Sequence, residues 1–140
     1  MREKVHAEEY FLRQIGKTLE IDSKGRIWRI GSLTYGKFKR TERKRAEHRD
    51  TFGYLQLHTM NGERKQIVVG ASRVVYAYFS GTIPPADLHI HHKDKNRENN
   101  RFENLQLLTA KEHINSPEHR RTYRNSRRNR RQRRFAFVGR

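Results

Sequence analysis

The sequence predicts an α+β chain in three parts. Residues 1–50 hold an N-terminal helix, a β-turn-β and a basic segment; residues 51–117 hold a β-hairpin, a helix and a strand–loop–strand–helix unit; residues 118–140 form an Arg-rich tail. Three observations predict this. Short β-forming runs are punctuated by Asp22-Ser23-Lys24-Gly25 and Asn61-Gly62, both strong turn signals. The helical patterns are brief and carry their own stop and start residues. The composition breaks sharply at Glu118, after which arginine dominates.

Residues 3–15 read as a short helix, with Val5, Leu12 and Ile15 near one side. Residues 21–30 read as strand, tight turn and strand, and Trp28 is expected in the core. Residues 37–50 are nearly all charge and read as a solvated loop, or as a helix lying across a polyanion. Residues 52–58 and 66–69 form a hairpin around Asn61-Gly62. Residues 72–79 form a helix that Ser72 would cap and Ser80-Gly81 would end. Residues 88–92 and 105–108 are strands. A last helix starts near Lys111, with Thr109 as cap and Glu112 three positions on, the spacing of a capping box.

The chain has 140 residues, 33% hydrophobic, and a formal net charge of +17. So much like charge repels itself unless a polyanion is near, and nucleic acid is the natural one. The rival partner, a membrane surface, lacks support: there is no long apolar run, no signal-peptide pattern and no basic helix with a large apolar face. The absence of cysteine excludes a disulfide framework and thiolate metal sites, and it fits an intracellular protein. In the tail, Arg120, Arg121, Arg124, Arg127 and Arg128 open a run that continues to Arg134. Low hydrophobicity and high like charge predict that it is disordered when alone and binds phosphate. A solvated arm or a localisation signal is the alternative. Phe135 to Val138 is an apolar island at its end.

The chemically telling residues lie between Leu88 and His113. His91-His92-Lys93-Asp94-Lys95-Asn96 is followed by Asn99-Asn100, Asn104-Leu105 and Glu112-His113. A single histidine in such a setting is usually a surface feature, but the spaced set is different. Phosphodiester hydrolysis needs a base active near neutral pH, which histidine supplies, and a cation to offset charge on the phosphate and the leaving oxygen. Neighbours on a strand point to opposite faces, so His91 and His92 divide the work rather than share one metal. Asp94, Asn96, Asn99 and Asn100 are read as loop-stabilising Asx residues.

In these residues the sequence resembles the HNH endonucleases, in particular their phage and homing branch. The likeness is specific from about residue 88 to 113 and looser from 21 to 79. It implies the ββα-metal fold: two antiparallel strands, a large loop between them, and a helix. It implies that His91 and His113 are metal ligands, that His92 is the general base, and that Asn104 pins the loop and helps orient that base. The implied cofactor is a divalent metal ion, Mg2+ or Mn2+ first, with Ni2+, Co2+ or Zn2+ tolerated because both ligands are imidazoles. Some relatives use carboxylate and amide ligands instead. The His91–His113 pair is closer to the bacteriocin nucleases, whose further histidine is replaced here by Pro117.

The expected function is therefore a metal-dependent DNA endonuclease of the phage or homing type, acting on double-stranded DNA as a monomer or dimer. If phage-encoded, it would work in the cytoplasm of a bacterial host. Lys39, Arg40, Arg43, Lys44, Arg45, Lys93, Lys95, Arg97 and the tail arginines are the expected nucleic-acid contacts. The alternative is a non-catalytic basic nucleic-acid-binding protein using the same fold.

Overall fold

A computed structural model describes residues 6–60 and 63–117. Its elements are α1 (Ala7–Leu12), β1 (Leu19–Ile21), β2 (Ile27–Thr34), β3 (Lys37–Arg45), β4 (His48–Arg49), β5 (Leu55–Met60), β6 (Gln66–Gly70), α2 (Ala71–Ser80), β7 (Leu88–His92), a 3-10 turn (Phe102–Asn104), β8 (Leu105–Thr109) and α3 (Ala110–Asn115). They form three small sheets, β1-β2-β3, β4-β5-β6 and β7-β8. Every pairing in the first two is antiparallel. The architecture is α+β, as expected. The Asn61-Gly62 turn, residues 3–5 of the expected N-terminal helix and the whole Arg tail, including Phe135 to Val138, lie outside the described residues.

The chain divides into two compact units. Among the described residues, one comprises residues 6–60, 63–85 and 90–107, the other residues 86–89 and 108–117. The first holds the core. Phe11, Leu19, Ile27, Leu57, Val69, Val74, Val75 and Leu105 bury their side chains together, joining α1, the first two sheets, α2 and the start of β8. At about 1.5–3 kcal/mol for each large apolar side chain removed from water, this cluster is the main stabilising term of the unit. Arg73 on α2 ties its edges together. Its Nε donates to Glu8 Oε1 at 2.6 Å, and its Nη2 donates to the carbonyls of Pro84 and Pro85 at 2.5 and 3.2 Å. That anchors the rigid Pro84-Pro85 link just before β7.

The β1–β2 turn is built by Asp22. Its Oδ1 accepts from the amides of Lys24 and Arg26 at 2.9 and 3.0 Å, and its Oδ2 from Arg26 Nε and Trp28 Nε1 at 2.7 and 3.1 Å. Burial by itself would raise this carboxyl; the four hydrogen bonds outweigh it and hold the pKa at about 2.

Several expectations are corrected here. Residues 37–50, read as a loop or a helix, hold strand β3, every residue of which is exposed. Its order comes from main-chain pairing with β2, not from a buried face. Trp28 is half-buried rather than core, because the guanidinium carbons of Arg43, Arg26 and Arg45 lie 4.4, 5.3 and 5.4 Å from its ring. Ser72 does not cap α2: the helix begins one residue earlier, after Gly70, with no side-chain cap. Gly81 ends it as expected, in the left-handed conformation at φ 78°, with its amide bonded to Ala77 O.

Candidate active site

The loop between β7 and β8 is organised by its Asx residues. Asp94 Oδ1 accepts from the Asn96 amide and from Asn104 Nδ2, both at 2.9 Å, and Asp94 Oδ2 accepts from Asn99 Nδ2 at 2.6 Å. Asn104 closes the neck of the loop. Its Oδ1 accepts from the Asp94 amide at 2.9 Å, its Nδ2 also donates to Asn99 O at 2.8 Å, and its carbonyl accepts from the Lys93 amide at 2.9 Å. Desolvation pushes the Asp94 carboxyl up, but the bonds from Asn99, Asn96 and Asn104 outweigh it, and the carboxyl is held below its ordinary value. The sharp turn after Asp94 puts Lys95 at φ 66°.

His92 ends β7 and is almost wholly buried, 6% exposed. Its Nε2 lies 2.9 Å from Asn100 Oδ1. An amide oxygen only accepts, so Nε2 carries the ring proton and Nδ1 keeps its lone pair. The Tyr54 ring, 6.2 Å away, forms one wall. Arg97 sits 4.7 Å above that ring and donates to Phe52 O at 2.5 Å. Burial pushes the His92 pKa down; Asn100 and Asp94 act to raise it, and His91 and Arg97 to lower it, with a net fall. The ring is therefore neutral near pH 7, the state a general base requires.

His91, the preceding strand residue, is half-buried. His113 lies on α3 in the other compact unit, where its ring stacks on that of His89 at 5.2 Å. Helix α3 starts with a full capping box. Thr109 Oγ1 accepts from the Glu112 amide at 3.3 Å, while Glu112 Oε2 accepts from the Thr109 amide at 2.8 Å. Those bonds from Thr109 lower the Glu112 pKa. Among the described residues, no group of three or more His, Cys, Asp or Glu side chains is arranged to hold a metal ion.

The expected nucleic-acid contacts fall into two kinds. Lys39, Arg40, Arg43, Lys44 and Arg45 all lie exposed on β3. Three of them are engaged by acids: Arg43 with Glu20 and Lys44 with Glu42, both at 3.3 Å, and Arg45 with Glu47. Glu47 is buried and also accepts from the Ile27 amide at 3.1 Å. Its desolvation raises its pKa against the pull of Arg45. Lys93, Lys95 and Arg97 are exposed around the loop, with Lys93 Nζ donating to Glu103 O at 2.8 Å. Arg120, Arg121, Arg124, Arg127 and Arg128 lie outside the described residues. The sequence reading missed Asn100 as the ring's partner. It is one Asx among several, and only its burial sets it apart.

Residues 69–114 match the profile of a family described as HNH endonuclease. No curated protein matches the chain in sequence. Among solved structures, the chain is similar to one reported under "DNA binding and cleavage by the HNH homing endonuclease I-HmuI". The two are 24% identical with a TM-score of 0.50, over 74% of this chain and 53% of that one. The chain thus spans about half of that protein's length, and a likeness at this identity speaks to the fold. The family match falls on residues 69–114, which contain His91, His92, Asn104 and His113, and the solved structure is similar in fold.

Proposed function

We propose that the protein is a metal-dependent DNA endonuclease of the homing type. The observation that carries this is the state of His92. A buried, neutral imidazole with Nε2 protonated has Nδ1 available to take a proton from water. His91 and His113 are the residues that would hold the divalent cation. Two imidazoles suit Mn2+, Co2+, Ni2+ or Zn2+ at least as well as Mg2+, and so small a protein donor set leaves positions for phosphate and water. When bound, the ion supplies charge stabilisation at the phosphate and the leaving oxygen. Asn104 keeps the loop in register so that His92 stays at the strand end.

The rest of the chain holds the duplex. Lys39, Arg40, Lys93, Lys95, Arg97 and the tail arginines contact phosphates, which position the protein without reading sequence. Arg43, Lys44 and Arg45 also lie on β3, and their acidic partners reduce what each offers to DNA. Among the described residues, no helix is long and apolar enough to cross a membrane.

The deciding experiment is cleavage of supercoiled plasmid with magnesium, manganese, nickel, zinc or EDTA, run beside His92→Ala. Cutting should need a divalent ion, and His92→Ala should cut roughly two to four orders of magnitude more slowly while binding DNA normally. Wild-type cutting by His92→Ala would remove the base assignment. Binding without any cutting, in every metal, would favour a non-catalytic DNA-binding protein.

A further inference from the structure

Every other Asx residue of the loop spends its side chain on the loop itself. Asp94 and Asn96 accept from amides two residues on, Asn99 bonds Asp94, and Asn104 bonds Asp94 and Asn99. Asn100 does not. It is 2% exposed, its Oδ1 meets a ring nitrogen, and its Nδ2 is buried with no hydrogen-bond partner. A buried amide NH2 left unsatisfied is destabilising. A residue chosen only to stabilise the loop would not be set that way.

We infer that Asn100 is the positioning residue of the active site, the group that selects the Nε2–H tautomer of His92 and aims Nδ1 outward. The inference rests on the reading of His92 as the base. An imidazole free in its pocket would populate both tautomers and two ring flips, and only one of those arrangements presents a lone pair at Nδ1 with the ring in the observed pose. The acceptor is an amide oxygen, which offers no proton and cannot satisfy an unprotonated Nε2. The Asn100 backbone is also braced from outside the loop. The β1–β2 turn packs against its main-chain carbonyl at Gly25, which limits how far the Asn100 backbone can shift. Asn104 has a different task, because it bonds main chain and carboxylate rather than imidazole.

The test compares wild type with Asn100→Asp, which keeps an acceptor oxygen, and Asn100→Leu, which keeps the shape and removes it. The tautomer of His92 is read from the ring nitrogen shifts in proton–nitrogen correlation spectra of metal-free protein in alkaline buffer. Wild type and Asn100→Asp should show Nε2 protonated; Asn100→Leu should show a mixture or the other tautomer. Plasmid cleavage by Asn100→Leu should fall roughly 10- to 100-fold in rate at saturating DNA, the usual effect of losing an orienting partner, with DNA affinity unchanged. Asn100→Asp should recover most of that rate. If Asn100→Leu does not fold, wild type and Asn100→Asp still decide: Nδ1 protonated in both overturns the inference. So does an unchanged Nε2–H tautomer in folded Asn100→Leu. Failure of the base assignment appears separately, as undiminished cutting by His92→Ala while wild type still shows the Nε2–H tautomer.

Discussion

Gly25 lies so close to Asn100 that a Cβ built on it would fall 2.0 Å from the Asn100 carbonyl oxygen and 2.4 Å from its carbonyl carbon. The glycine also sits at φ 69°, a conformation L side chains rarely adopt. Two demands therefore meet at one residue. The β1–β2 turn needs a left-handed position, and the motif loop needs room for its backbone. The N-terminal hairpin is in this way a structural part of the candidate active-site loop.

Gly25→Ala should expose that dependence. Strain at positive φ costs about 1–3 kcal/mol, and the overlap is with backbone, which cannot swing aside. The variant should melt earlier than wild type. It should also cut more slowly than its folded fraction predicts, because Asn100 must shift away from His92. The paired measurement is a melting curve and a plasmid-cleavage rate well below the melting temperature. Wild-type values for both would show that the contact is not close in solution.

The metal assignment predicts a split among the histidines. His91→Ala and His113→Ala should each weaken manganese binding in a calorimetric titration and lose cleavage with it. Part of that cleavage should return at high metal concentration. His92→Ala should bind manganese as wild type does and gain nothing from added metal, since a lost base is not replaced by a cation. Equal manganese affinity in wild type and both ligand variants would exclude the site.

How far the fold was legible in the sequence depends on how local its causes are. The motif strand 88–92, the Thr109–Glu112 capping box and the Gly81 helix end were read correctly because each is decided within a few residues. Strand β3 was not, because its residues 37–45 have no apolar alternation, and their order comes from pairing with β2, a partner the local pattern does not reveal. Trp28 misled for a related reason: three arginines cover its ring in place of a core. In the site, the identities of His91, His92, Asn104 and His113 stood out by spacing. The partner of His92 did not, since Asn99 and Asn100 are the same residue type side by side and only tertiary burial separates them.

Asp22 predicts an acid limb in the stability curve. Its carboxyl titrates near 3.8 when unconstrained and at about 2 in the fold. The unfolded chain therefore takes up its proton first as the pH falls. The stabilisation is fully present above 3.8 and is lost as the pH drops through about 2. A gap of that size is worth about 2 kcal/mol. Asp22→Asn should lose about that much at neutral pH and show a flatter acid limb. Urea melts from neutral pH down through the carboxylate range test it. Parallel pH profiles for the two proteins would mean that Asp22 does not hold the turn.

The last prediction separates cations that hold DNA from cations that hold the fold. Arg40 and Arg45 lie on the same strand, and sequence alone ranks them equally as phosphate contacts. Arg45 Nε donates to Glu47 Oε2 at 2.7 Å, and the Glu47 side chain is 1% exposed. Removing Arg45 leaves a buried carboxylate with, among the described residues, only the Ile27 amide to bond. The carboxylate then has to take up a proton or lose stability, at a cost of roughly 1–3 kcal/mol. Arg40 has no ion-pair partner among the described residues and stands exposed opposite Gly31. Arg40→Ala should therefore leave the melting curve within about 0.5 kcal/mol of wild type. It should lower DNA affinity and flatten the log-affinity versus log-salt slope by about one unit, one phosphate contact's worth. Arg45→Ala should do the reverse, melting early with a nearly unchanged slope once the protein is kept folded at low temperature. Salt-series binding and thermal melts on both variants make the comparison. A large slope change for Arg45→Ala with no loss of stability would reassign Arg45 to the DNA interface.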